Sequence, residues 1–221
     1  MGGCQARHGL AFAAGMMAQV LKQAVRARIQ DAALRCFAAH GYGGTSMTQI
    51  AAAAGTAPAN LYRYYPSKET LFNAVVPADL ARRHDELLDT RITALAGEGA
   101  DEAAAAEELL DFWLEHRLAV VVLLDKADTT RFATYPAAFT ERLVNHAMRA
   151  LDGPPSPEQE EILRLVFDNT RRALARMLAT AQDREHASAL IRAFWSYQIP
   201  GLRGLLAFIN ADLSQSAGMG T

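Results

Sequence analysis

Two cysteines in 221 residues, Cys4 and Cys36, are too few and too far apart for a disulfide framework or a cysteine metal cluster. Glu-x-x-His is missing altogether, and Asp183-x-x-His186 is the nearest approach to it. The carboxylate-bridged metal pair of a helical-bundle enzyme needs two such pairs on facing helices, so the acids between Asp101 and Glu115 do not compose one. Nucleophile-elbow signatures and phosphate-cradling glycine loops are missing too. No catalytic residue, metal or cofactor is therefore expected. No apolar run approaches the roughly 20 residues that a membrane span needs. The run Leu10 to Leu21 after Arg7 is broken by Gln19 and lacks a small-residue cleavage site, so it is not read as a signal peptide. A cytoplasmic protein without membrane contact is expected.

Strand-like alternation bounded by turn residues is also lacking. The single strand-like run, Ala119 to Leu124, sits inside a longer helical pattern and is read as buried helix. What the chain does have is apolar content, 51%, spaced at the helical period. The fold class is all-α. Its net charge of −2 conceals an asymmetry. Residues 1–76 carry seven Lys or Arg against two Asp or Glu, a balance of +5, and the remainder carries 15 against 22, a balance of −7. That division points to a polyanion meeting only the N-terminal part.

Along the chain, residues 1–20 read as a flexible tail, with Met16 and Met17 as later potential starts. The first clear helix is predicted from about Val25 to His40, stopped by Gly41. Ser46 and Gln49 form a capping box that opens a short second helix, which Gly55 ends. Pro58 suits the first turn of a third helix, and Ser67 caps a fourth, which Pro77 kinks. Beyond Gly97 to Gly99, helices are expected at about Glu102–Ala127, Pro136–Leu151, Pro157–Ala179 and Arg184–Phe208. Asp152-Gly-Pro-Pro-Ser-Pro157 is the clearest linker. The division is thus a tail (1–20), a helix-turn-helix head (21–76), a helical domain (77–213) and a frayed C-terminus (214–221).

Two short helices around a glycine turn, preceded by a longer helix, outline a three-helix DNA-binding unit. The stretch Thr45-Ser-Met-Thr-Gln-Ile-Ala-Ala-Ala-Ala-Gly-Thr-Ala-Pro-Ala-Asn-Leu-Tyr-Arg-Tyr-Tyr-Pro-Ser-Lys-Glu-Thr-Leu-Phe72 resembles the tetracycline-repressor (TetR/AcrR) family. Thr45 opens the second helix, followed by Ile50-Ala51, Ala54-Gly55 at the turn, Leu61-Tyr62 in the recognition helix, the aromatic pair Tyr64-Tyr65, and Lys68. The resemblance spans roughly residues 25–76. It departs at Ala57, commonly Ser, at Ala59, commonly Gly, and at Tyr65, usually Phe; the lost Ala57 hydroxyl weakens the case for phosphate contacts near the third helix.

The resemblance implies a ligand-responsive repressor that binds a palindromic operator as a homodimer and is released by a small, largely apolar effector. The DNA-facing set is Thr45, Thr48, Thr56, Pro58, Ala59, Asn60, Tyr62, Arg63, Tyr64 and Lys68. Within it, Thr45 is assigned to phosphate, Asn60 to an adenine edge, and Lys68 to a phosphate clamp at a helix N-terminus. Candidate effector contacts are Phe112, Trp113, His116, Tyr135, Phe139 and Phe167. The dimer interface is expected on the last two long helices, through Leu163, Val166, Leu174, Met177, Leu190 and Phe194. The alternatives from other classes are a helical-bundle metal-dependent enzyme and a helical protein-binding adaptor.

Overall fold

The computed structural model describes residues 3–97 and 101–218. Ten α-helices account for most of them: α1 (Gly3–His40), α2 (Met47–Ala53), α3 (Pro58–Tyr64), α4 (Lys68–Val75), α5 (Ala78–Leu95), α6 (Glu102–Glu115), α7 (Arg117–Val121), α8 (Tyr135–Arg149), α9 (Pro157–Thr180) and α10 (Arg184–Gly218). A π-helical turn, Val122–Lys126, continues α7. No strand occurs among the described residues, and the strand-like run Ala119–Leu124 is buried helix.

Several boundaries differ from the sequence reading, each for a local reason. No helix end marks residue 20: α1 runs unbroken through it, in a stretch rich in alanine, leucine, glutamine and methionine, all good helix formers. Pro77 is a break, not a kink. Val76, at φ −126° and ψ 73°, leaves the helix ahead of the proline ring, and Pro77 becomes the N-cap of α5. The helix expected over Glu102–Ala127 is interrupted at His116, at φ −105° and ψ 27°. There Arg117 turns its Nη1 onto the carbonyls of Leu178 (3.0 Å) and Ala181 (2.6 Å), covering the C-terminus of α9.

Packing joins the head to the body more tightly than a boundary at residue 76 suggests. One apolar cluster runs from Ile29, Phe37, Ile50, Leu61 and Phe72 through Leu88, Leu109, Trp113 and Val120 to Leu174 and Ile191. Polar ties cross the same junction. The Tyr42 amide donates to the Lys126 carbonyl at 3.2 Å, and Arg131 Nη2 donates to the Val76 carbonyl at 3.1 Å. A second, smaller cluster, Val144, Ala147, Leu163, Phe167 and Ile209, holds α8, α9 and α10 together at the far end.

Candidate functional site

The reading head is set by its caps. Ser46 Oγ accepts from the Gln49 amide at 3.2 Å while Gln49 Oε1 accepts from the Ser46 amide at 2.7 Å, completing the expected box. α2 ends in a Schellman motif: Thr56 N–H donates to Ala51 O and Gly55 N–H to Ala52 O, with Gly55 at φ +62°, where a side chain would be strained. α3 starts on Pro58 with Ala57 at the N-cap and no side-chain cap. Ser67 caps α4 by accepting from the Thr70 amide at 3.0 Å. The loop before α2 needs glycine at 44, because a Cβ there would stand 2.3 Å from the His40 carbonyl oxygen.

On this frame Thr48, Pro58, Ala59, Tyr62 and Arg63 are exposed, Tyr62 by half its surface. They form an outward patch on α2 and α3 with one fixed cation, a phenol and small residues. Thr56, Asn60 and Tyr64 are half-buried. Asn60 Nδ2 donates to Thr56 Oγ1 at 2.8 Å, so the amide staples the turn to the recognition helix and leaves only Oδ1 uncommitted. Thr45 does not match the phosphate role expected of it. The residue is 3% exposed, and its hydroxyl lies 2.7 Å from the Gly41 carbonyl and 3.1 Å from that of Cys36, closing the end of α1. Tyr65 is core, as the sequence suggested.

Lys68 also turns inward. Its Nζ donates to the carbonyls of Tyr42 (2.8 Å) and Thr45 (2.9 Å) and sits 4.2 Å from the Tyr42 ring centroid. Two carbonyl dipoles and an aromatic face offset the cost of placing a cation at the positive end of α4. Lys68 therefore clamps the α1–α2 loop onto α4, and at most one of its three N–H groups remains for an external oxygen.

In the body, a cavity of about 100 Å³ lies among α5, α6, α8, α9 and α10. Of the six candidate effector contacts, Trp113, Phe139 and Phe167 line it; Phe112, His116 and Tyr135 do not. Tyr135 belongs instead to a buried relay beside the cavity. Trp113 Nε1 donates to His84 Nε2 (2.8 Å), which puts the imidazole proton on Nδ1, facing Tyr135 Oη at 2.6 Å, and Tyr135 donates to Asp85 at 2.7 Å. Phe112 and Phe139 both stack against His84, with ring centroids 5.9 and 6.0 Å away. Burial, reinforced by the Arg142 charge, pushes the His84 pKa down to about 3, and burial with the Asp85 carboxylate raises that of Tyr135.

The sequence reading missed His84, Arg91, Thr170 and Gln198. The first two carried a signal. His84 and Arg91 fall on the inward stripe Ala81, Leu87, Leu88 and Ile92 of α5, where a polar residue must have a partner. Among the described residues no three His, Cys, Asp or Glu side chains are grouped to hold a metal, and no helix is long and apolar enough to cross a membrane.

Of the residues expected at a dimer interface, Leu163 and Leu174 are buried within their own protomer, at 0% and 2% exposure. Val166, Met177, Leu190 and Phe194 are half-buried. The large apolar side chains exposed on the last two helices are Ile162, Leu165, Tyr197 and Phe208. The proper partner of Leu163 is thus the far-end cluster, because α9 turns one stripe to α8 and α10 and another to solvent.

Architecture and exposed α3 face together define an all-helical, helix-turn-helix DNA-binding protein. Residues 29–75 match the bacterial regulatory proteins of the tetR family. The chain is 28% identical over 174 residues to an HTH-type transcriptional repressor of Mycobacterium tuberculosis, covering 75% of this chain and 88% of that protein. It aligns with a TetR family transcriptional regulator from Chloroflexus aurantiacus at 16% identity and a TM-score of 0.46, over 86% of this chain and 93% of that one. It aligns with NalD, the secondary repressor of the MexAB-OprM multidrug efflux pump in Pseudomonas aeruginosa, at 18% identity and a TM-score of 0.38, over 79% and 95%. Residues 29–75 therefore carry a tetR-type DNA-binding head, and beyond them the chain is similar to the mycobacterial transcriptional repressor.

Proposed function

We propose that the protein is a cytoplasmic, non-catalytic repressor that binds a palindromic operator as a homodimer and is released by a small effector bound among its C-terminal helices. The observation that carries this reading is the exposed patch Thr48, Pro58, Ala59, Tyr62 and Arg63 on α2 and α3, held by caps on both sides and free of internal work. Arg63 and Tyr62 reach phosphate or base edges, and the small Ala59 permits close approach to the groove floor. Asn60 contributes through Oδ1 and through the rigidity it gives the turn.

A short α3 reads only a few base pairs, so a twofold protein on two half-sites is the economical solution. The exposed stripe Tyr197, Gly201, Gly204 and Phe208 on α10, with Ile162 and Leu165 of α9, is the self-complementary surface for that pairing. No carbon added at either glycine would meet another atom within 4 Å, so a partner's ring can enter the notch between Tyr197 and Phe208.

Footprinting on the DNA upstream of the protein's own gene tests this function. Two protected half-sites with centres about 34–36 Å apart, or a multiple of that, bound by one dimer, are expected. Equal affinity for that DNA and for random duplex at physiological salt would refute it.

A further inference from the structure

The cavity among α5, α6, α8, α9 and α10 is apolar on most sides, with Ile92, Leu95, Leu109, Phe139, Leu143 and Phe167 among its walls. One side is charged. Arg91 lines it with a side chain only 7% exposed. Its Nη1 donates to the Glu102 main-chain carbonyl at 3.0 Å and stands 3.5 Å from the Glu102 carboxylate, and its guanidinium lies 5.6 Å from the Trp195 ring centroid. Glu102 is shared: its other oxygen is 3.8 Å from Arg203 Nη2, and its side chain is 47% exposed. Two guanidinium groups thus divide one half-solvated carboxylate, leaving a surplus positive charge, part of it buried. A buried guanidinium with an incomplete, loosely held counter-ion is poorly compensated, and a planar carboxylate is the group its fork matches best.

Resting on the reading of this cavity as the effector site, we infer that the effector is a small monocarboxylate with an apolar body. Its carboxylate pairs with Arg91 in place of Glu102, and its body lies between Trp113, Phe139 and Phe167. The volume sets the size. About 100 Å³ is below the roughly 150 Å³ of an engineered cavity that holds benzene, so the body that enters it is a slender unbranched chain and not a ring. The charge sets the sign. An amine would meet the Arg91 guanidinium, and a neutral ligand would leave Arg91 as it is. Gln198 and Thr170, bonded to each other at 2.8 Å, complete the polar wall without offering a second cation.

The chain holds two tryptophans, Trp113 and Trp195, and both line the cavity, so intrinsic fluorescence of the full-length protein reports its occupancy. Titration with hexanoate, 1-hexanol and hexylamine should show saturable change with hexanoate at a Kd at least tenfold lower than with the other two. Arg91→Gln should bring hexanoate to the level of hexanol and leave hexanol unchanged. Glu102→Gln, an exposed change that removes the competing carboxylate, should tighten hexanoate several-fold, which keeps the test decisive if Arg91→Gln fails to fold. Hexanol binding as tightly as hexanoate, or Glu102→Gln leaving hexanoate unmoved, overturns the carboxylate while leaving the cavity as an effector site. No response to any of the three overturns the cavity reading itself.

Discussion

Arg171, buried on α9, donates from Nη1 to the main-chain carbonyl of Leu124, inside the π-helical turn that follows α7. Its Nε and Nη2 hold Asp168 one turn away, at 3.1 and 2.6 Å. Thr170 and Leu174, on the same stretch of α9, line the cavity. Two residues beyond Leu124, the Lys126 carbonyl accepts from the Tyr42 amide, and the Tyr42 carbonyl accepts from Lys68 at the start of α4. These contacts run without a gap from the cavity wall to the reading head. π turns concentrate where a helix has been adapted to a function, and here one sits at the junction. The fourth helix, expected to run on past Pro77 with a kink, does not make this connection, because it is cut by the break at Val76.

Arg171→Met should be costly, since it orphans the Leu124 carbonyl and leaves Asp168 without its closer partner. A loss of about 2–3 kcal/mol is expected for a buried bond to a charged group, since Asp168 is partly exposed and keeps Arg172 at 2.7 Å. Urea unfolding measures it. A loss below about 1 kcal/mol would mean that the junction does not depend on this residue.

Lys68 and Arg63 should separate stability from DNA contact. Lys68→Met removes two hydrogen bonds to carbonyls and a ring contact, so it should lower stability by about 3 kcal/mol, at about 1.5 kcal/mol for each bond from this half-buried charged group. Its effect on the salt slope of DNA binding should be small. Arg63→Ala should leave the melting temperature unchanged and reduce that slope by about one unit, as for a lost phosphate contact. The reverse pattern, a slope change for Lys68→Met with no loss of stability, would return Lys68 to the phosphate clamp.

His84 predicts acid lability. Its folded pKa of about 3 lies below the ordinary histidine value, so the unfolded chain binds a proton that the native state refuses. The stability tied to neutral His84 is complete above about pH 6.5 and is lost as pH falls toward 3, by about 1.4 kcal/mol per unit. His84→Phe should be less stable at pH 7, with Trp113 and Tyr135 losing a partner, but its stability should fall less steeply between pH 6.5 and 5. Parallel pH profiles for the two proteins would show that His84 is not the titrating group.

Thr129 is β-branched and adopts φ +63° in the loop between the π turn and α8, next to Tyr42 and Phe72 across the junction. Asparagine tolerates that conformation, so Thr129→Asn should raise stability by about 1 kcal/mol and the melting temperature by about 2–4 °C. A lower melting temperature would show that the threonine methyl or hydroxyl repays the strain.

The head was legible because its determinants are local. Caps at Ser46 and Ser67, the turn at Gly55 and the proline at 58 act over three or four residues, and side-chain chemistry alone specifies them. The inward turn of Thr45 and Lys68 was not legible, since it depends on where the carbonyls of Cys36, Gly41 and Tyr42 lie after the loop folds. The body was less legible for the same reason. Aromatic residues at helical spacing announce a core, but whether Phe112 or Phe167 meets a cavity depends on how five helices cross. His84 and Arg91 could have been singled out as polar residues on an apolar stripe, whereas their partners Trp113, Tyr135 and Glu102 come from other helices.

If the cavity and the reading head exchange free energy, linkage makes the coupling directly measurable. Hexanoate is titrated calorimetrically into the free protein and into the protein saturated with its footprinted operator. Operator should weaken hexanoate binding by the same factor, about 5–150-fold, by which hexanoate weakens operator binding. Identical hexanoate affinities in the two titrations would contradict the coupling.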